Sequence, residues 1–168
     1  MKHFKNFKTC VYCTAQTLAS LDEATLARDY AYLEKYVGID KVYLETYRDG
    51  TWVSIDHMKM IQNFFKKHGV EIAGGITTVT PPLEKDDVKR QRLFQTFCYS
   101  NEAMRTYLKK IVTYTAELFD EIILDDFFFT SCTCDDCLRE RSNLSWAEFR
   151  SKKMIDVAEN LVLKPAKL

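Results

Sequence analysis

Residues 121–128 read Glu121-Ile122-Ile123-Leu124-Asp125-Asp126-Phe127-Phe128. Three aliphatic residues run without alternation into two acids and then into aromatic residues. A short apolar run of this kind suits a strand of a parallel sheet covered on both faces. Three earlier segments, Lys8–Thr14, Lys41–Tyr47 and Val70–Ile76, are similarly rich in Val, Ile and Tyr and read as its companions.

Each expected strand leads into a helix with a legible start. Ser20-Leu21-Asp22-Glu23 has the form of a capping box and opens a helix that runs to Val37 and stops at Gly38. Ser54 caps a second helix, which carries Met58, Ile61, Phe64 and Phe65 at helical spacing and ends at Gly69. Ser100 is expected to cap a third, with Met104, Leu108, Ile111 and Thr115 along one side. Ser145-Trp146-Ala147-Glu148 is a second capping box, for a helix running toward Leu163 before Pro165.

Regular strand–helix alternation argues an α/β fold with a parallel sheet and right-handed crossovers, as a doubly wound sheet or a (β/α) barrel. No glycine-rich phosphate loop follows the first strand, and Gly74-Gly75 falls inside the third, where it suits tight packing. The expected fold is a parallel (β/α) barrel of TIM type. A whole barrel needs eight units and typically about 250 residues, whereas 168 residues hold four. Residues 1–168 are therefore expected to form the N-terminal half of a (β/α)8 barrel. A missing C-terminal half, or a second copy in a homodimer, would complete it, since a four-stranded half leaves two strand edges unpaired.

Hydrophobic residues make up 46% and charged residues 29% of the chain, the balance of a soluble globular protein. Its formal net charge of zero gives no electrostatic capture of nucleic acid or of an anionic membrane. No apolar run approaches the roughly 20 residues that span a bilayer, and the basic start, Met1 to Lys8, leads into a segment too polar for a signal peptide. A soluble protein is expected, with the cytoplasm favoured and the compartment open.

Six cysteines occur, and three of them, Cys132, Cys134 and Cys137, form C-x-C-x-x-C just after the fourth strand. Thiols this close on one turn can converge on a single ion, and Zn2+ prefers four ligands in a tetrahedron. Cys98, just before the third helix, lies in the neighbouring loop at the same end of the sheet and is the expected fourth ligand. Cys10 and Cys13 lie three apart within a strand and point to opposite faces, so they read as small buried hydrophobes. A tetrathiolate site has no coordination position left for water, so the metal would be structural. Disulfide, redox and iron–sulfur chemistry are the competing readings of the same residues, and the spacing does not fit the usual iron–sulfur runs.

Reactive residues of parallel barrels stand at the C-terminal ends of strands. Asp125 and Asp126 end the fourth strand, and only one of the two can face the barrel mouth. A carboxylate walled by Phe127, Phe128 and Phe129 would be poorly solvated and suited to a general acid. The alternative is that both acids cap helices or loop amides. The second strand ends in Glu45-Thr46-Tyr47-Arg48, where strict alternation puts Glu45 and Tyr47 on one face. Carboxylates beside aromatic rings suit a carbohydrate, which makes Glu45, Tyr47, Arg48 and Phe128 the candidate substrate-binding residues.

Cys98-Tyr99-Ser100-Asn101 and Cys132-Thr133-Cys134-Asp135-Asp136-Cys137, with Phe149-Arg150 downstream, resemble glycoside hydrolase family 42. These are zinc-containing β-galactosidases of the clan A barrel type, and the resemblance spans about residues 95–149. In that family the fourth strand ends in Asn-Glu and the Glu is the acid/base. The resemblance thus implies Asp126 in the acid/base role, with Asp for Glu marking a divergent relative. It also implies a nucleophile on a seventh strand, so this chain alone is expected to be inactive. Two other functions stand beside hydrolysis: a non-catalytic carbohydrate-binding or scaffold module, and a thiol or metal-handling protein using Cys10 and Cys13.

Overall fold

Four strands pair in parallel in chain order: β1 (Cys10–Cys13), β2 (Lys41–Arg48), β4 (Glu71–Ile76) and β5 (Ile122–Leu124). The computed structural model describes residues 4–80, 82–83, 91–125 and 128–167. A two-residue strand, β3 (Thr51–Trp52), folds back antiparallel on the end of β2. The turn between them is Asp49-Gly50, both at positive φ (50° and 82°), as a tight hairpin requires. Among the described residues the strand order never reverses. That order is compatible with a sector of a barrel, whereas a doubly wound sheet reverses at a switch point.

The helices are α1 (Ala15–Ser20), α2 (Glu23–Tyr36), α3 (Ile55–Lys67), α4 (Glu102–Ala116), α5 (Asp135–Arg141) and α6 (Trp146–Val157), the last continuing as a π-turn over Ala158–Leu163. Ser54 caps α3, and Ser145 with Glu148 forms the capping box of α6. Two helix starts differ from expectation. Ser20 closes the short α1, and Asp22 caps α2 by accepting from Thr25 N at 2.7 Å. Asn101, not Ser100, caps α4 by accepting from Met104 N. Among the described residues no helix is long and apolar enough to cross a membrane.

Alternation along the strands sorts side chains onto two faces. Val11, Cys13, Val42, Leu44 and Ile72 pack with Leu18, Leu26, Met58, Ile61 and Phe65 of α1 to α3. Ile76, Ile122 and Leu124 pack with Leu108, Ile111 and Val112 of α4 and with Val157 and Leu161. On this side a Cβ on Gly74 would lie 2.8 Å from both Phe119 Cδ2 and Thr115 Cγ2, so the glycine lets α4 close on the sheet. Tyr12, Tyr43, Ala73 and Ile123 alternate onto the other face and belong to none of the three apolar clusters. The helices gather on one face, and the other is where the polar residues of the strand ends meet.

Candidate active site and metal centre

Glu45 is wholly buried at the end of β2. A buried carboxylate must be paired and hydrogen-bonded, and four donor groups surround this one. Tyr12 Oη gives to Oε1 at 2.8 Å, Ala15 N to Oε2 at 2.7 Å, and Arg48 Nε to both oxygens at 3.0 and 2.9 Å. The Thr77 hydroxyl supplies a further short contact to Oε1. Arg48 also reaches Asp125 Oδ2 through Nη2 at 3.0 Å and Thr77 Oγ1 at 2.9 Å. The sheet register brings these groups together: Glu45 pairs with Gly75, and Ile76 with Leu124, so Thr77 and Asp125 follow side by side. Gly75 leaves room for the Tyr12 ring, whose hydroxyl would lie 2.8 Å from a Cβ there.

The charges are consistent with these contacts. Burial first, then the neighbouring Glu45 charge, holds the Tyr12 phenol well above its usual range, so it stays protonated and donates. Burial opposes the Arg48 charge, but the hydrogen bond and field of Glu45 outweigh it and keep the guanidinium fully ionised. Glu45 therefore acts as an anchor whose oxygens are already engaged. Asp125, with its side chain 25% exposed, is the carboxylate of the group that reaches solvent.

Among the described residues the Asp125 side chain accepts from Arg48 and Thr77. Two expectations change here. Tyr47 does not share a face with Glu45. The register slips between them, placing Tyr47 opposite Ile76, wholly buried on the helix side against Trp52 and Tyr107. Phe128 leans on Tyr99 within the second apolar cluster, and the half-buried Phe129 meets the exposed ring of Phe94. Asp126, assigned the acid/base role, and Phe127 lie outside the described residues. Tyr12 and Thr77 escaped the sequence reading; the available signal was the place of Tyr12 within the first expected strand and of Thr77 directly after the third.

Cys98, Cys132, Cys134 and Cys137 place their sulfurs within 4.8 Å of one another. Cys98 Sγ lies 3.6 Å from Cys134 Sγ and 3.7 Å from Cys137 Sγ. Cys98 precedes α4, Cys134 is the N-cap of α5 and Cys137 lies within it, so the cluster ties two helix starts together. Met104, Leu144, Trp146 and Phe149 pack round it. Hydrogen bonds from Cys137 and Cys98 hold the Cys132 thiol far below its usual range, and its contacts with Cys132 push Cys137 up to about 12. Thiols packed this closely cannot all ionise without a cation, and as thiolates they could hold a metal ion. All six cysteines are free of disulfides. Cys10 is exposed, contrary to the buried role expected of it, while Cys13 is half-buried at the first apolar cluster.

A family model described as "Probable glycosyl hydrolase, catalytic domain" matches residues 1–168. The chain belongs to this family. An uncharacterized protein of Saccharolobus solfataricus is 32% identical to it over 187 aligned residues, covering 97% of the chain and 31% of that protein. The chain thus spans about a third of the length of this curated relative. No solved structure matches it.

Proposed function

We propose that the chain is the N-terminal part of a (β/α)8 barrel that hydrolyses a glycosidic bond, with the sugar lying across the C-terminal ends of its strands. The network of Glu45, Arg48, Thr77 and Asp125 carries this reading. It brings polar groups from β2 and from the ends of β4 and β5 to one place on the face away from the helices. Barrel enzymes assemble their sites at that end from several strands, and family membership supports the reaction class. In this reading Asp126 is the general acid/base, as the similarity to family 42 implies. Asp125 and Arg48 bind sugar hydroxyls, while Glu45 and Tyr12 fix Arg48. Glycosidic cleavage needs a second carboxylate across the bond, which a later strand of the longer protein would supply.

The cysteine centre is proposed to hold Zn2+ as a closed structural site. Thiolates about 2.3 Å from a tetrahedral ion stand about 3.8 Å apart, close to the 3.6 and 3.7 Å seen from Cys98. With every position taken by sulfur, zinc would fasten loops and take no part in a reaction step.

The test is hydrolysis of a panel of 4-nitrophenyl glycosides by the full-length protein. Asp126→Asn should lower kcat by about 100-fold or more with the circular dichroism spectrum unchanged. Undiminished turnover in that variant would remove Asp126 from the role. Sugar affinity without turnover of any glycoside would make the protein a carbohydrate-binding module.

A further inference from the structure

Arg92 is buried, although it stands in the long loop between β4 and α4. A guanidinium taken out of water needs strong acceptors. Its Nε donates to Thr96 O, and its Nη1 reaches Cys132 Sγ at 3.9 Å. As a metal ligand Cys132 is a thiolate, and a charged sulfur accepts from a guanidinium far better than a neutral thiol does.

The same side chain clasps the loop. Its bond to Thr96 O closes over Phe94 and Gln95, which hold left-handed backbones at φ 52° and 53°. Such conformations strain any residue with a Cβ and persist only where the surroundings enforce them. Thr96 pairs with Val79 in an isolated antiparallel bridge, flanked by bonds from Thr80 N to Gln95 O at 2.9 Å and from Phe97 N to Thr78 O at 3.2 Å. Thr78 to Thr80 directly follow Thr77 of the buried polar network. On the other side, Leu93 N donates at 3.0 Å to the hydroxyl of Ser131, the residue before Cys132. Arg92 therefore touches both the cysteine cluster and the strained loop.

Four thiolates around a divalent ion leave a buried centre negatively charged overall. A cation bonded to one sulfur offsets that charge and draws electron density from the sulfur. Partners of the ligands fix a metal site nearly as strictly as the ligands do. We propose that Arg92 is a positioning residue that couples the metal centre to the loop after β4, donating to the Cys132 thiolate while its Nε holds Thr96. This rests on the metal reading given under Proposed function.

The test compares the full-length protein with Arg92→Met, Arg92→Lys and Arg92→Gln, each loaded with Zn2+ or with Co2+. Arg92→Met should release zinc to a chromogenic chelator about tenfold faster or more. Its sulfur-to-cobalt charge-transfer band should move to lower energy, because the sulfur loses its donor. Cys132 should become the first of the four ligands to be alkylated by iodoacetamide, and chymotrypsin should cut faster after Phe94. Arg92→Lys, which keeps the cation, should fall between wild type and Arg92→Met. Gly74→Ala, placed against Phe119 and Thr115, should leave the band and the order of alkylation unchanged. If Arg92→Met does not fold, Arg92→Gln against Arg92→Lys makes the same comparison. Equal release and an unmoved band in a metal-loaded variant would overturn the proposal and leave the metal reading standing. Unchanged cleavage at Phe94 would overturn the coupling as well. A wild-type protein that holds neither zinc nor cobalt would overturn both.

Discussion

Arg48 holds Glu45 through a single nitrogen: its Nε lies 3.0 and 2.9 Å from the two oxygens of a carboxylate with no exposed surface. The same guanidinium turns Nη2 outward to Asp125. Glu45 is thus the fixed point that directs Arg48 at the carboxylate facing solvent. Charged hydrogen bonds of this kind are strong, and their loss strands a charge in the interior.

Arg48→Met should therefore destabilise the chain by about 3 kcal/mol, because the buried Glu45 loses its cation. Replacing both partners, as Glu45→Gln with Arg48→Met, should cost less than the sum of the single changes. Urea denaturation of the four proteins in the cycle measures this. Equal and additive costs would show that the two side chains do not depend on each other.

Gly74→Ala should destabilise by about 2 kcal/mol through overpacking. The added methyl meets Phe119 Cδ2 and Thr115 Cγ2 at 2.8 Å. Thr115 is pinned by a hydroxyl contact to Thr46 at 2.6 Å and by its bond to Ile111 O at 2.8 Å, so α4 must back away from the sheet. The midpoint of thermal unfolding reads the effect, and restoring space with Gly74→Ala/Phe119→Leu should recover part of it.

Much of this arrangement was legible in the sequence where the governing forces are local. Ser54 and Ser145 signal their helices because a cap and its partners lie within four residues. The C-x-C-x-x-C run signals its own convergence, and Cys98 follows from parallel order. What escaped depends on register between distant strands. The slip between Glu45 and Tyr47 sends Tyr47 into the helix side, and no pattern within Glu45-Thr46-Tyr47-Arg48 announces it. The Asp49-Gly50 hairpin was written in the sequence but was hidden by the expectation of a plain strand–helix order. Tyr12 and Thr77 matter only because Glu45 lies between them, a relationship that spans 33 and 32 residues along the chain.

Asp156→Asn should lower stability at neutral pH by about 0.5 kcal/mol, the worth of a partly exposed ion pair. Asp156 Oδ2 accepts from Arg105 Nη1 at 2.7 Å, and this bond holds its carboxyl below the usual aspartate range. A depressed folded-state value means that the contribution is present above the unfolded pKa of about 4 and fades as pH falls through the folded value. Wild type and variant should therefore differ at pH 7 and converge in acid below pH 4, as chemical denaturation across that range would show. A difference that grew on acidification would contradict the assignment.

Thiol labelling separates the six cysteines and tests the metal reading together. Reactivity follows the thiolate and its exposure. Cys10 is exposed, whereas burial pushes the half-buried Cys13 thiol up to about 11, leaving it protonated at pH 8. Thiolates bound to zinc in a closed site should also react slowly. One fast thiol per chain is therefore expected at pH 8, with one equivalent of zinc by elemental analysis. A strong chelator should release the ion, expose four further thiols at Cys98, Cys132, Cys134 and Cys137, and lower the unfolding temperature, because ligand binding free energy is shared with folding. Cys134→Ser should give the same lowering without the chelator, since it removes one sulfur while putting a favoured N-cap residue at the start of α5. Two fast thiols before chelation, with no metal in the purified protein, would favour a redox pair instead. The strand geometry opposes that outcome, since Cys10 and Cys13 sit three residues apart on β1 and so point to opposite faces of the sheet.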